Sequence, residues 1–473
     1  MQIAEEHYKK ALLAARSAGQ EHIFAHWDHL NETQKNNLLQ QVAQIDFSQL
    51  KSLATDYIFS KKSVQSDNVA LEPVQPVALP ETEQDFSDVS RYKKIGEESI
   101  RAGKIGCLLV AGGQGSRLGF DGPKGMYPIS PVKEKTFFQL IAEKIIATNR
   151  QYETNIPWYI MTSMSNYEAT TRFFKENNNF GIDPDSIFFF RQRMMPALAE
   201  NGTIIMEACD RIFMNPDGHG GIIHALHESG AVDDIIRRGL EHLFYFQIDN
   251  VLIQICDPVF VGRHVAGGGE MSTKIIEKRD AFEKVGVIGK IDGKLGVIEY
   301  SDLSEEEMHA KTTDGKLLFS AGNLAIHMFA TKFLKAIASS KIQLPWHLAH
   351  KNIPFVDEKC RRIEPEAPNG YKFEKFIFDA LPLAKDGVVM EVERAQEFSP
   401  VKGATGVDSA QTARQDMISV FREWVIAAGF ELPDDDRAKK IKLEISPLYA
   451  LDKESFLART KKTYRLEQDT YFE

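Results

Sequence analysis

From Ile105 to Gln192, runs of continuous apolar residues alternate with segments whose apolar positions return every three to four residues: "IGCLLVAGG", "TFFQLIAEKIIATNR", "PWYIMTS", "NYEATTRFFKENN" and "SIFFFRQ". Strands that are apolar on both faces, alternating with amphipathic helices, predict an α/β fold built on a parallel sheet from about Arg91 onward. In such a sheet ligands collect beyond the carboxyl ends of the strands. The chain before it, to about Lys62, has helical periodicity. There Asn31 and Gln34 take the spacing of a capping box ahead of an apolar stripe of Leu38, Leu39, Val42 and Ile45. The next segment, "SVQSDNVALEPVQPVALPETEQDFSD", with Pro73, Pro76 and Pro80, predicts an extended connector laid over a surface. Asp292-Gly293, flanked by Val and Ile, predicts a β-hairpin inserted into the α/β unit, and "DSAQTARQDMISVFREWVIAAG" predicts one amphipathic helix near the C-terminus.

At 473 residues the chain exceeds one ordinary core, so two or three domains around a large one are expected. Hydrophobic residues at 43% and charged residues at 26% are those of a globular protein, and no apolar run approaches the roughly 20 residues that a membrane span needs. The first residues are acidic and amphipathic, unlike a signal peptide, which points to the cytoplasm. A net charge of -10 argues against nucleic acid as a partner, but a few converging cations would still hold an anionic substrate. Cys107, Cys209, Cys256 and Cys360 have neither CxxC nor zinc spacing and are expected to be reduced, buried thiols.

The candidate chemistry begins at "LLVAGGQGSRLGFDGPKG", Leu108 to Gly125, on the carboxyl end of the first apolar strand. A P-loop needs lysine directly after its last glycine and a hydroxyl after the lysine, whereas Lys124 follows Pro123 and precedes Gly125. A dinucleotide fingerprint needs GxGxxG, but Leu118 occupies the third glycine's place. What remains is a longer loop. Its glycines admit backbone N–H groups to a triphosphate, with Arg117 and Lys124 projecting charge at its two ends.

The order L-x-x-G-G-x-G-[ST]-x-L-G-x-x-x-P-K, from Leu109 to Lys124, resembles the signature of the eukaryotic-type UDP-N-acetylhexosamine pyrophosphorylases within the UDP-sugar pyrophosphorylase superfamily. The resemblance runs from about Leu108 to Ser446 through blocks that include "PKGMYPI", "FRQRMMPAL", "NPDGHGGIIHAL", "QIDNVLIQICDPVFVG", "SAGNLAIHMF", "PNGYKFEKFIFD" and "EFSPVK". It implies a Rossmann-like, glycosyltransferase-A-like nucleotidyltransferase domain with a mixed, mostly parallel sheet over residues 91–395. An N-terminal helical domain and connector, residues 1–90, would precede it, and a small C-terminal domain, residues 396–473, would come after it. The implied reaction joins UTP to N-acetylglucosamine 1-phosphate, with magnesium or manganese as the metal, and leaves the oligomeric state open.

Such an exchange needs positioning and cations rather than a covalent nucleophile. The resemblance places Gly112, Gly113, Gln114 and Gly115 with Arg117 and Lys124 on the UTP phosphates, and Lys402 as a second phosphate lysine. Asp249 ends the apolar run "LFYFQIDN", where a carboxylate calls for a cation and is the expected metal ligand, with Asn250 beside it. By the same likeness Gln192 would read the uracil edge and Gly218, His219 and Gly220 would lie against the nucleotide. Gly286, Glu299 and Asn323 would bind the sugar. Phe376 and Phe378, alternating in "KFIFD", would share one strand face and wall the acetyl pocket. His219 departs from the asparagine usual in the acetylhexosamine enzymes and matches the "GHG" of enzymes acting on glucose 1-phosphate or a broader set of sugar phosphates, so that substrate is the alternative. A nucleotide-sugar-binding protein without catalysis is the reading from another class.

Overall fold

The computed structural model describes residues 2–60, 70–300, 302–339, 344–433 and 437–473; the end of the expected helical stretch and the start of the connector, together residues 61–69, lie outside them. The chain forms two compact units. One gathers residues 1–69, 193–221 and 344–377, and the other the remaining three segments, including the whole C-terminal part.

In the smaller unit the helices α1 (Gln2–Ser17) and α2 (Glu32–Ala43) lead the chain, and α2 begins with the expected reciprocal cap between Asn31 and Gln34. Leu38 and Val42 of α2 are buried with Ala15, Ile23 and Phe24 against Met195, Leu198, Ile204, Ile212, Trp346 and Phe373. Side-chain amides stitch the helices to the later segments. Gln41 exchanges hydrogen bonds with the backbone of Ile212, and Gln20 accepts the Ile204 N–H at 2.7 Å.

The larger unit is built on a ten-stranded mixed sheet, so the α/β expectation is met. Its strands are β1 (Leu71–Pro73), β2 (Ile105–Val110), β3 (Trp158–Thr162), β4 (Ile187–Arg191), β5 (His242–Gln247), β6 (Met271–Glu277), β7 (Val287–Ile291), β8 (Lys294–Ile298), β9 (Ala321–Ala330) and β10 (Val389–Glu391). Its main path runs β1-β7-β9-β5-β2-β3-β4; β6 joins β9 to β10, and β8 pairs with β7. The block β5-β2-β3-β4 is parallel throughout. That block is where the apolar runs are continuous, because both its faces are covered: Trp158, Tyr159, Phe244, Tyr245 and Phe246 are fully buried. Its helices include α3 (Glu83–Arg101), α4 (Phe137–Tyr152), α5 (Tyr167–Glu176) and α6 (Pro258–Ala266).

Two expectations sharpen here. The Asp292-Gly293 turn does close a hairpin, with φ of 51° and 78° at its two residues, but the hairpin extends the main sheet through β7. The connector is extended from Ala70 to Glu81 and contributes β1, which pairs with β7, while Val77 bridges to Met390; its last residues depart from the expectation, because Thr82 caps α3 and Glu83–Asp88 are already helical. The C-terminal helix α7 (Ala410–Ala427) starts at a Ser409–Thr412 capping box and buries Ala413, Met417, Val420 and Trp424.

The thiols divide. Cys107 and Cys256 are buried, free and 3.6 Å apart, and burial holds the Cys107 thiol well above its ordinary range. Cys209 and Cys360, 151 residues apart, instead form a disulfide with Cα atoms 5.6 Å apart, contrary to the expectation of four reduced thiols. Neither spacing nor local pattern marks that pair: Cys209 sits in the turn joining the strands Met206–Ala208 and Arg211–Ile212, and Cys360 in the loop before Arg362. Protein purified without reductant is expected to yield a Cys209–Cys360 linked peptide, and reduction should lower Tm by roughly 5 °C. Free thiols at both positions in unreduced protein would contradict the pairing.

Candidate functional site

The glycine loop leaves β2 at the sheet's carboxyl edge and folds back on itself. Gly115 donates to the Gly122 carbonyl at 2.8 Å, and Lys124 donates its backbone N–H to Gly113 at 3.0 Å. A turn after β3 holds it from one side. The fully buried Asn166 donates its side-chain amide to the carbonyls of Ala111 and Gly113 at 3.1 and 3.4 Å, while its oxygen accepts the Ser163 N–H at 2.8 Å. Gln114 reaches Ser165 at 3.1 Å. Asn166 is not among the residues that the sequence pattern singles out. Its signal is the polar "TSMSN" placed directly after a buried strand, on the edge where ligands gather.

At Gly112 a Cβ would stand 3.1 Å from Oε1 of Gln192 and 3.3 Å from the Ser163 N–H. A side chain at 112 would press on both neighbours, so the glycine lets the loop lie close against the buried amide expected to read a base. Arg117 is exposed, with no hydrogen bond or ion pair to another described residue.

Lys124 is half-buried, and its Nζ donates to the carbonyl of Val401 at 3.2 Å. The structure thus brings Lys124 to the residue next to Lys402, 278 positions away in sequence. Asp249 joins them through the backbone: Val401 donates its N–H to the Asp249 carbonyl at 2.9 Å, and Asn250 bridges to Pro400. The Asp249 carboxylate is half-buried and makes no hydrogen bond or ion pair with another described residue. Among the described residues no three-residue group of His, Cys, Asp or Glu gathers around it; the one group close enough to ligate is His26 with the disulfide-bonded Cys209 and Cys360. A single free carboxylate suits an ion that takes its remaining oxygens from phosphates and water.

Asn250 stands differently from its expected nucleotide role. Its side-chain amide donates to the Glu397 carbonyl at 2.7 Å, and its oxygen accepts the N–H groups of Ser399 and Leu252 at 3.0 and 3.3 Å. It is spent on backbone.

The expected sugar residues of the larger unit meet where β7, β8 and β9 come together. Gly286 accepts the Asn323 N–H at 2.9 Å, and a Cβ at Gly286 would lie 3.6 Å from the Glu299 carboxylate. The register explains this, since Val287 pairs with both Ile298 and Gly322. Phe376 and Phe378 do not share a strand face. The strand Gly370–Glu374 ends before them and a 3-10 helix, Ile377–Leu383, begins between them, so the alternation in "KFIFD" is not that of a strand.

In the smaller unit Gly218, at φ +81°, and Gly220 press against the backbone of Lys375 and Phe376. His219 stacks on Phe376 at 5.3 Å, and its Nδ1 accepts the Ile377 N–H at 3.2 Å. Accepting there requires the neutral ring with its proton on Nε2. Burial, with His347 nearby, holds the His219 pKa down to about 4.

The chain matches the family model described as UTP–glucose-1-phosphate uridylyltransferase over residues 47–423. It is 37% identical over 431 residues to UDP-N-acetylhexosamine pyrophosphorylase-like protein 1 of Homo sapiens, covering 88% of this chain and 85% of that one. Identity to the UDP-N-acetylglucosamine pyrophosphorylase of Saccharomyces cerevisiae is 36% over 434 residues, covering 88% and 91%. The solved uridine diphosphate N-acetylglucosamine pyrophosphorylase of Trypanosoma brucei superposes with a TM-score of 0.82 at 26% identity, covering 98% of each chain.

The His219 geometry carries a pH signature. The unfolded ring titrates near its ordinary value of about 6.5 and the folded one at about 4, so between those values the unfolded chain binds a proton that the fold refuses. The contribution is complete above about pH 6.5 and is lost as pH falls toward 4. In thermal melts from pH 7 to pH 4.5, His219→Asn should lose less Tm than wild type, by roughly 2 °C or more. Parallel losses would contradict a His219 ring kept neutral by the fold.

Proposed function

We propose that this chain, which belongs to the UTP–glucose-1-phosphate uridylyltransferase family, joins UTP to N-acetylglucosamine 1-phosphate, giving UDP-N-acetylglucosamine and pyrophosphate. It is a nucleotidyltransferase of the UDP-sugar pyrophosphorylase kind. The observation that carries the mechanism is the junction at which Lys124, the Asp249–Asn250 turn and the Val401–Lys402 segment meet.

An oxygen of the sugar phosphate attacks the α-phosphorus of UTP in line, the new P–O bond forming as the bond to pyrophosphate breaks. The glycine loop lays its N–H groups along the triphosphate, and Arg117, Lys124 and Lys402 offset the charge that grows on the leaving pyrophosphate. Asp249 would hold magnesium, or manganese in its place, which when bound supplies charge neutralisation on the phosphates. Gln192, set by Gly112, offers a donor and an acceptor to the uracil edge. Gly286, Glu299 and Asn323 present backbone and carboxylate to the sugar hydroxyls. The identities to relatives named for the N-acetylated sugar favour that substrate, while His219 in "GHG" favours glucose 1-phosphate as the second reading.

Purified enzyme supplied with UTP and, in turn, N-acetylglucosamine, glucose or galactose 1-phosphate should release pyrophosphate fastest with the first. A tenfold preference for glucose 1-phosphate would move the assignment to the second reading. Lys124→Ala should lower turnover by roughly a hundredfold or more while UDP-sugar binding is largely kept; unchanged turnover would refute its phosphate role.

The close approach at Gly112 makes a separate prediction. Gly112→Ala should displace Gln192 and raise KM for UTP roughly tenfold, with a smaller change for the sugar phosphate. Equal effects on both substrates would place Gln192 elsewhere than on the base.

A further inference from the structure

Beneath the junction lies a charge cluster that the reaction does not itself use. Lys274, on β6, is completely buried. Its Nζ donates to both carboxylate oxygens of Glu397, at 2.8 and 2.6 Å, and stands 2.7 Å from Oδ2 of Asp257. Asp257 is itself fixed, since its other oxygen accepts the Val259 N–H at 2.9 Å and caps α6. Glu397 is buried at the end of a single helical turn, Arg394–Glu397.

The backbone from Glu397 onward carries its placement into the junction. The Glu397 carbonyl receives the Asn250 amide, the Ser399 N–H goes to the same Asn250 side chain, and the Val401 N–H goes to the Asp249 carbonyl. Five residues after Glu397 comes Lys402. Lys144 holds the loop that follows Asn250, donating to the carbonyls of Val251 and Ile253 at 2.8 Å each.

Three charges out of water contribute little to stability by comparison with apolar residues of equal volume, so stability alone does not account for them here. They do give direction: a lysine with two carboxylates around it fixes where residue 397 sits. We propose that Lys274, with Asp257 and Glu397, is a positioning cluster for the uridylyl transfer, setting Lys402 and Asp249 against one another through the Asn250 clamp. This rests on the uridylyltransferase reading, and the cluster itself touches no substrate.

Removing the lysine alone would leave two buried carboxylates facing each other and risks unfolding the protein, so the informative variant removes all three charges while keeping their shapes: Lys274→Met with Asp257→Asn and Glu397→Gln. Two readouts are taken on full-length protein. The first is amide hydrogen exchange at Ser399 and Val401, expected to quicken at least tenfold while the strands β2 and β3 stay protected. The second is steady-state kinetics with UTP and N-acetylglucosamine 1-phosphate, where kcat should fall about a hundredfold and KM for UTP should move less than threefold. A general loss of packing would expose all these amides together and would not divide kcat from KM.

A folded triple variant with both amides still protected overturns the proposal, as does one whose amides open while kcat stays within twofold of wild type. A rise in KM that accounts for the whole loss also overturns it. If wild type itself makes no UDP-sugar with any of the three sugar phosphates, the functional reading fails; the exchange data then still decide whether the cluster holds the clamp. Should the triple variant not fold, Glu397→Gln alone is put through the same two measurements, with the same outcomes for and against.

Discussion

In the proposed reaction a carboxylate and two lysines act on one triphosphate, which requires segments from three parts of the chain to be held together, and here that constraint falls on the side chain of Asn250. Its amide and oxygen take up the backbone of Glu397 and Ser399, which sets Val401 on Asp249 and leaves the Val401 carbonyl as the partner of Lys124. Asn250 can do this because β5 ends just before it, at the carboxyl edge, where the strand's own ladder stops and its neighbours must be found elsewhere. Everything proposed for the reaction depends on this junction.

The rest of the larger unit serves the same edge. The parallel block β5-β2-β3-β4 delivers the glycine loop, the Asn166 turn and Gln192 to one side of the sheet. Asn166 ties the loop down through the carbonyls of Ala111 and Gly113, and Gly112 lets it approach Gln192. A reaction that proceeds by charge neutralisation and alignment asks for this kind of rigidity and for no nucleophilic side chain. The antiparallel strands β7, β8 and β9 add a second cluster, Gly286, Glu299 and Asn323, whose proximity follows from their register.

What was legible in the sequence was local. The capping box at Asn31, the hairpin at Asp292-Gly293, the glycine loop and a carboxylate closing a buried strand each write their signal within about a dozen residues. Pairings across the chain leave no such trace. Lys274 meets Glu397 over 123 positions, and Cys209 meets Cys360 over 151, so neither partner looks unusual by itself. Phe376 and Phe378 fail for another reason: alternation at a spacing of two suggests a strand, yet a 3-10 helix with Pro382 inside it begins at Ile377. Asn250 stands out in the sequence, but its amide is committed to backbone atoms 147 and 149 residues away, which only the fold reveals.

The central claim is that phosphate exchange here occurs by a single in-line displacement at the α-phosphorus, organised by a junction and without a covalent intermediate. The stereochemistry at that phosphorus tests it most directly. With UTP carrying one sulfur at a defined configuration on the α-phosphate, a single displacement gives UDP-sugar of inverted configuration, readable by phosphorus NMR. Inversion is the predicted result. Retention would require two displacements and a uridylyl-enzyme intermediate, and would contradict the account.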